Sequence, residues 1–204
     1  MIAGALAAFA RAVSGATVHW TQPLEGVRQR VYFGNHGSHL DFILIWASIP
    51  PHLRASTRPI AGADYWGGGP LRRYVACNVF QAILVERSAG PTTPERATQA
   101  IERIAEAMGD ANSIIVFPEG TRSLNGELLP FKSGLYHLCR MKPHLELVPV
   151  YLANLSRILP KGELVPVPLR GRVVFGAPIR FDANEAKDAF LTRARNALVS
   201  LRHQ

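Results

Sequence analysis

Seven consecutive residues, Asn35-His36-Gly37-Ser38-His39-Leu40-Asp41, hold the densest group of reactive side chains in the chain. Histidine is the side chain best matched to proton transfer near neutral pH, and a nearby carboxylate fixes its tautomer and stabilises its charged form. His36 and Asp41 are five residues apart, which on one continuous helix sets them roughly 140° apart around the axis. They meet only if His36 lies in a turn and Asp41 in the first turn of the helix that follows. His36, His39 and Asp41 could instead ligate a metal in a hydrolase, since imidazole and carboxylate suit zinc or iron. His52, His137, His144 and His203 are isolated, however, and no cysteine or acidic cluster completes such a set. The expectation is therefore no metal and no cofactor. Ser38 lacks the G-x-S-x-G signature of an activated serine. Ser38 or Asp41 reads as a helix cap, and His39 as a surface residue.

A second group, Phe117-Pro118-Glu119-Gly120-Thr121-Arg122-Ser123, follows an apolar run. Gly120 allows close backbone approach to a ligand, and Thr121 and Arg122 offer donors to phosphate or carboxylate oxygens. Glu119 can take a hydroxyl proton, bind a donor or pair with an arginine. Alone, this would be an ordinary turn between a strand and a helix.

The elements that must position these groups alternate along the chain. Val31-Tyr32-Phe33 reads as a buried strand ending at Gly34-Asn35, and the apolar run from Leu40 as a helix stopped by Pro50-Pro51. Arg58 to Ala61 is a short strand, Gly67-Gly68-Gly69-Pro70 a turn, and Leu71 to Ala76 a basic helix. Val79 to Glu86 is apolar and β-prone. Thr93-Pro94-Glu95 opens a helix with threonine as N-cap and proline at the first helical position, ending at Gly109. That helix turns Ala97, Ile101, Ile104 and Met108 inward by periodicity. Ser113 to Phe117 is a buried strand, Ser133 to Arg140 a helix, Leu145 to Tyr151 a strand, Leu159 to Pro168 a proline-rich loop and Arg172 to Phe175 a strand. Asp182 with Glu185 suggests a capping box for a last helix running through Leu201. The alternation predicts an α/β fold, one domain with a mostly parallel sheet flanked by helices.

Apolar residues make up 48% of the 204 and charged residues 19%, which excludes a disordered chain. The net charge of +8 suits anionic membranes, phosphate-bearing substrates, acidic carrier proteins or nucleic acid. No nucleic-acid-binding module is recognisable, so none is expected as a partner. Arginine supplies 19 of the 23 cations, either for its fork geometry or through codon usage. Cys77 and Cys139 form no CxxC pair and imply no disulfide framework, consistent with a reducing, cytoplasmic-side environment. Ile2 to Ala12 carries Ile2, Leu6 and Phe9, with Val13 just beyond, at helical spacing. The stretch is too short for a bilayer span of about 20 residues. Residues 1–20 accordingly read as either a membrane-interfacial segment or a core-packing helix, and 21–204 as the main domain.

In combination, the two reactive groups carry a resemblance. His36 to Asp41 resembles the H-x4-D motif of the glycerolipid acyltransferase family, and Phe117 to Ser123 is similar to its F-P-E-G-T-R-S motif, about 80 residues later. Val79 to Arg87 looks like the family's apolar strand ending in arginine, without the glycine usual upstream. Val148-Pro149-Val150 and Val173 to Ile179 look like its later strands. The resemblance implies an O-acyltransferase of phospholipid biosynthesis, acting on lysophosphatidic acid. Lyso-ornithine lipid, another lysophospholipid or glycerol-3-phosphate are its alternative acceptors. It implies acyl-CoA or acyl-ACP as donor and peripheral or monotopic attachment to an anionic membrane surface. His36 would be the general base and Asp41 its orienting partner, with Arg87, Glu119, Gly120, Thr121 and Arg122 binding the acceptor. Lys132 stands at a family-like position, either in the phosphate site or solvated.

Overall fold

The computed structural model describes residues 2–38, 41–86, 93–123, 126–153 and 171–204. One sheet contains β1 (Thr17–Trp20), β2 (Arg30–Gly34), β3 (Thr57–Gly62), β4 (Ile83–Val85), β5 (Ser113–Val116), β6 (Glu146–Ala153), β7 (Arg172–Phe175) and β8 (Ile179–Arg180). Its order is β1-β7-β6-β2-β5-β3-β4, with β8 also on β6. Every pairing is parallel except those of β6 with β7 and β8. Parallel neighbours require long crossovers, and helices supply them. In chain order the described helices are α1 (Ile2–Ser14), α2 (Asp41–Ser48), α3 (Pro51–Arg54), α4 (Ala63–Trp66), α5 (Pro70–Tyr74), α6 (Pro94–Met108), α7 (Gly134–Met141) and α8 (Lys187–Val199), of which α1 precedes the first strand and α8 follows the last. A π-helical stretch, Val75–Val79, follows α5.

The central strands are apolar on both faces because both faces are covered. Tyr32, Ile115, Val148 and Val150 pack towards α1 and α2, in a cluster with Phe42, Ile45 and Trp46. The alternate residues Val31, Phe33, Ile114 and Leu147 pack with Met108, Leu138, Phe190 and Leu198 of α6, α7 and α8. Each such side chain contributes about 1.5–3 kcal/mol on leaving water, so the register of β2, β5 and β6 is strongly specified. Gly34 ends β2 where a Cβ would sit 3.0 Å from the Val150 carbonyl oxygen and 3.3 Å from Ile45. Only the missing side chain lets β6 and α2 close around that point.

Several sequence expectations need correction. Val79 to Glu86 is not one strand: the π-helical stretch reaches Val79, and β4 is only Ile83–Val85. Gln81, at φ +50°, turns the chain between them. Asp182 and Glu185 do not cap the last helix, which starts at Lys187 with Ala186 as N-cap. The Asp182 carboxylate accepts from the Asn184 amide instead, and Glu185 pairs with Arg193. Ala97 is exposed and lines a cleft, whereas Ile104 and Met108 are buried as expected. The proline-rich Leu159 to Pro168 stretch lies outside the described residues. At the N-terminus α1 packs on α2, Ala7 is buried in the core, and β1 joins β7. The sheet thus begins at Thr17, within the segment set apart as 1–20. No described helix is long and apolar enough to cross a membrane.

Candidate active site

The sheet brings the two reactive groups together by register. β2 and β5 run parallel with Phe33 opposite Val116. Continuing that register three residues past this pair sets His36 beside Glu119, and a hydrogen bond of 2.7 Å joins the His36 amide to Glu119 Oε1. The other side of the turn is fastened to β6. The Asn35 side chain donates to the Leu152 carbonyl at 2.9 Å and accepts from the Leu152 amide at 2.8 Å, extending the ladder by one side-chain pair. The Ser123 amide donates to the His36 carbonyl at 2.8 Å.

Within this turn His36 and Asp41 meet as their spacing requires. His36 is in the loop, Asp41 opens α2, and His36 Nδ1 lies 2.9 Å from Asp41 Oδ2. The amides of Gly37 and Ser38 donate to the same oxygen, each at 2.7 Å. Asp41 is 1% exposed, and its Oδ1 has no hydrogen-bond partner among the described residues. A carboxylate held by two amides does not rotate, so it fixes the imidazole with Nδ1–H towards Asp41 and leaves Nε2 as the acceptor. Phe117 stacks on the imidazole with ring centroids 4.2 Å apart and planes 11° apart, which holds the ring from its face. Sequence reasoning gave Phe117 no role, although it stands in the same motif as Glu119. His39 lies outside the described residues. Among those described, no three His, Cys, Asp or Glu side chains form a group able to hold a metal ion.

Glu119, expected at the acceptor, is held by backbone amides on both oxygens. It is 2% exposed, and its second oxygen accepts from the Leu129 amide at 2.8 Å. Both carboxylate oxygens thus accept from backbone amides, and Glu119 braces the His36 turn against the backbone at Leu129. Burial pushes its carboxyl above the usual glutamate range, opposed by the amides of Leu129 and His36. Gly120, Thr121 and Arg122 behave otherwise: with His36 and Lys132 they line a cleft of roughly 1580 Å³. Gly120 has φ +68°, and the Lys132 side chain passes 2.9 Å from where its Cβ would stand. The left-handed backbone favours glycine there, and Lys132 packs over it and lines the same cleft as Arg122. Arg73, Arg96 and Arg103 line the same cleft, with apolar walls from Phe42, Ile60 and Ile83–Val85. Arg87 lies outside the described residues.

The site therefore combines an oriented imidazole, a loop with a guanidinium and an ammonium, and apolar walls in one cleft. A base, a place for an anionic group and room for a hydrocarbon chain are the requirements for acyl transfer onto a phosphate-bearing alcohol.

Comparisons with known proteins bear on the family and the fold. A sequence model of the acyltransferase family matches residues 16–153. The 1-acyl-sn-glycerol-3-phosphate acyltransferase of Cocos nucifera is 31% identical over 154 residues, covering 74% of this chain and 46% of the relative. The enzyme of the same name from Haemophilus influenzae is 30% identical over 122 residues, covering 57% of this chain and 45% of the relative. The chain spans about half the length of the curated relatives it matches. In fold it is similar to the crystal structure of the 1-acyl-sn-glycerophosphate (LPA) acyltransferase PlsC from Thermotoga maritima. The TM-score is 0.76 at 18% identity, covering 99% of this chain and 79% of the other.

Proposed function

This chain belongs to the acyltransferase family, and from that premise we propose that it moves a fatty acyl group from a thioester donor, acyl-CoA or acyl-ACP, to the free hydroxyl of lysophosphatidic acid. The observation that carries the reading is the His36–Asp41 pair, with Asp41 fixed by two backbone amides and His36 lining a cleft that also holds Arg122 and Lys132.

His36 Nε2 accepts the proton of the acceptor hydroxyl as its oxygen attacks the thioester carbonyl. The imidazolium formed is stabilised by Asp41 across the Nδ1 hydrogen bond. Collapse of the tetrahedral intermediate breaks the carbon–sulfur bond, and the proton passes from His36 to the departing thiolate. The products are an ester and a thiol, and no acyl-enzyme is required. Arg122 and Lys132 receive the acceptor phosphate, with Thr121 adding a hydroxyl. Phe42, Ile60 and the β4 residues offer the hydrocarbon its apolar wall.

A thioester-release assay across acceptors and both donors tests this. Thiol release is expected with lysophosphatidic acid. Release only with an acceptor lacking phosphate, such as a lyso-ornithine lipid, would overturn the acceptor assignment. Lysophospholipids with other headgroups and glycerol-3-phosphate complete the panel.

A further inference from the structure

β3 runs parallel with β2 and β5, so α4 and α5 leave the sheet at the end where His36 stands. The single turn of α5 is unusual in what it leaves in water. Leu71 is 74% exposed and Tyr74 52%, one helical turn apart on the same face. Arg72 and Arg73 lie between them and are also exposed. The Arg72 guanidinium lies 4.6 Å over the ring of Tyr65, whose neighbour Trp66 contacts it edge-on at 5.4 Å. Trp66, Gly67 and Arg73 in turn line the cleft that contains His36. The exposed Leu71 and Tyr74 thus sit, mixed with arginines, on the helical turn that gives Arg73 to the cleft wall.

Isolated exposed apolar residues need no explanation, and Val27 is one, 90% exposed just before β2 at the opposite end of the sheet. The α5 turn differs in composition. Tyrosine, tryptophan and arginine beside an exposed leucine suit the boundary between headgroups and acyl chains, where rings and guanidinium stems take intermediate depths. The arginines and a net charge of +8 complement anionic headgroups. A second copy packed symmetrically on this turn would face Arg72 and Arg73 with their own equivalents.

We infer that the Leu71–Tyr74 face of α5 rests on an anionic lipid surface and holds the cleft mouth against it. A lipid acceptor then reaches His36 without its chain crossing water. The inference rests on the acyl-transfer reading only for the purpose of this docking, since vesicle binding is read without turnover.

The test is cosedimentation with phosphatidylcholine vesicles containing phosphatidylglycerol at low salt. Wild-type protein binds, and binding weakens as salt screens the arginines. Leu71→Asn with Tyr74→Asn lowers the partition coefficient at least about tenfold, while Val27→Asn leaves it unchanged. The double variant keeps its turnover on a water-soluble short-chain acceptor and loses it on acceptor presented in vesicles. Failure of the wild type to sediment, equal sedimentation of the double variant, or an equal loss with Val27→Asn would each overturn the inference. So would a wild-type dimer that the double variant converts to monomer, or equal loss of turnover in both acceptor formats. Absence of turnover with every acceptor would overturn the acyl-transfer reading alone and leave the vesicle result standing.

Discussion

Glutamine in place of Glu119 keeps the shape of the side chain but turns one acceptor oxygen into a donor. Glu119 accepts from the His36 amide at 2.7 Å through one oxygen and from the Leu129 amide at 2.8 Å through the other. Glutamine satisfies one of these, and the second amide then faces an NH2 group at a position 2% exposed. Losing a hydrogen bond to a charged group costs about 1.5–3 kcal/mol. In a domain of this size each kcal/mol moves Tm by roughly 2–4 °C, which gives a fall of roughly 3–12 °C. If the His36 amide is the one released, the turn carrying the proposed base shifts, and a misplacement near 1 Å costs about 10²-fold in rate. Steady-state thioester release and thermal melting read both effects. Glu119→Gln should lower kcat by about 10- to 100-fold, with the acceptor KM changed less than about threefold. The pH dependence has a definite sign. A carboxyl held above its ordinary pKa in the fold gives stability that is present below the unfolded glutamate pKa and is lost as pH rises through the folded value. Glu119→Gln removes that slope. A large rise in acceptor KM with kcat and Tm unchanged would refute the positioning role and return Glu119 to the acceptor site.

Other outcomes follow from the same geometry. Arg122→Ala should raise KM for lysophosphatidic acid by about 10- to 100-fold, the effect of removing one charged hydrogen-bond donor to phosphate. It should leave a phosphate-free acceptor little affected, as kinetics on the two side by side will show. Glu146→Gln removes the charge facing Arg30, whose side chain is 1% exposed and 3.1 Å away, with Arg28 and Arg180 also at hand. Leaving that buried guanidinium unpaired should cost about 3–5 kcal/mol in urea unfolding. Turnover per folded molecule should be unchanged, because the pair sits at the opposite end of β2 from His36.

Most of what carries the site was legible in the sequence where local chemistry decides it. Val31 to Phe33 and Ile114 to Val116 are short continuous apolar runs, as strands covered on both faces require. The five-residue spacing of His36 and Asp41 required a turn before a helix, and that turn exists. What the sequence hid is non-local. Glu119 looked like a ligand-binding carboxylate because its partners, the His36 and Leu129 amides, are 83 and 10 residues away. Its role follows only from the β2–β5 register. Ala97 has the periodicity of a core residue, but periodicity does not distinguish a core from the wall of a cleft. β1 escaped notice because it is an exposed edge strand with little apolar patterning. The π-helical stretch defeated the reading of Val79 to Glu86 since β-branched residues there favour strand by propensity, and packing of Ala76 and Phe80 overrides it.

The central claim, that His36 is the base, is tested most directly by His36→Ala in the thioester-release assay with lysophosphatidic acid, with folding checked by thermal melting. A positioned general base contributes about 10²–10⁴-fold. The account predicts a fall in kcat of that size, with Tm and acceptor KM close to wild type. Full turnover by His36→Ala would contradict it.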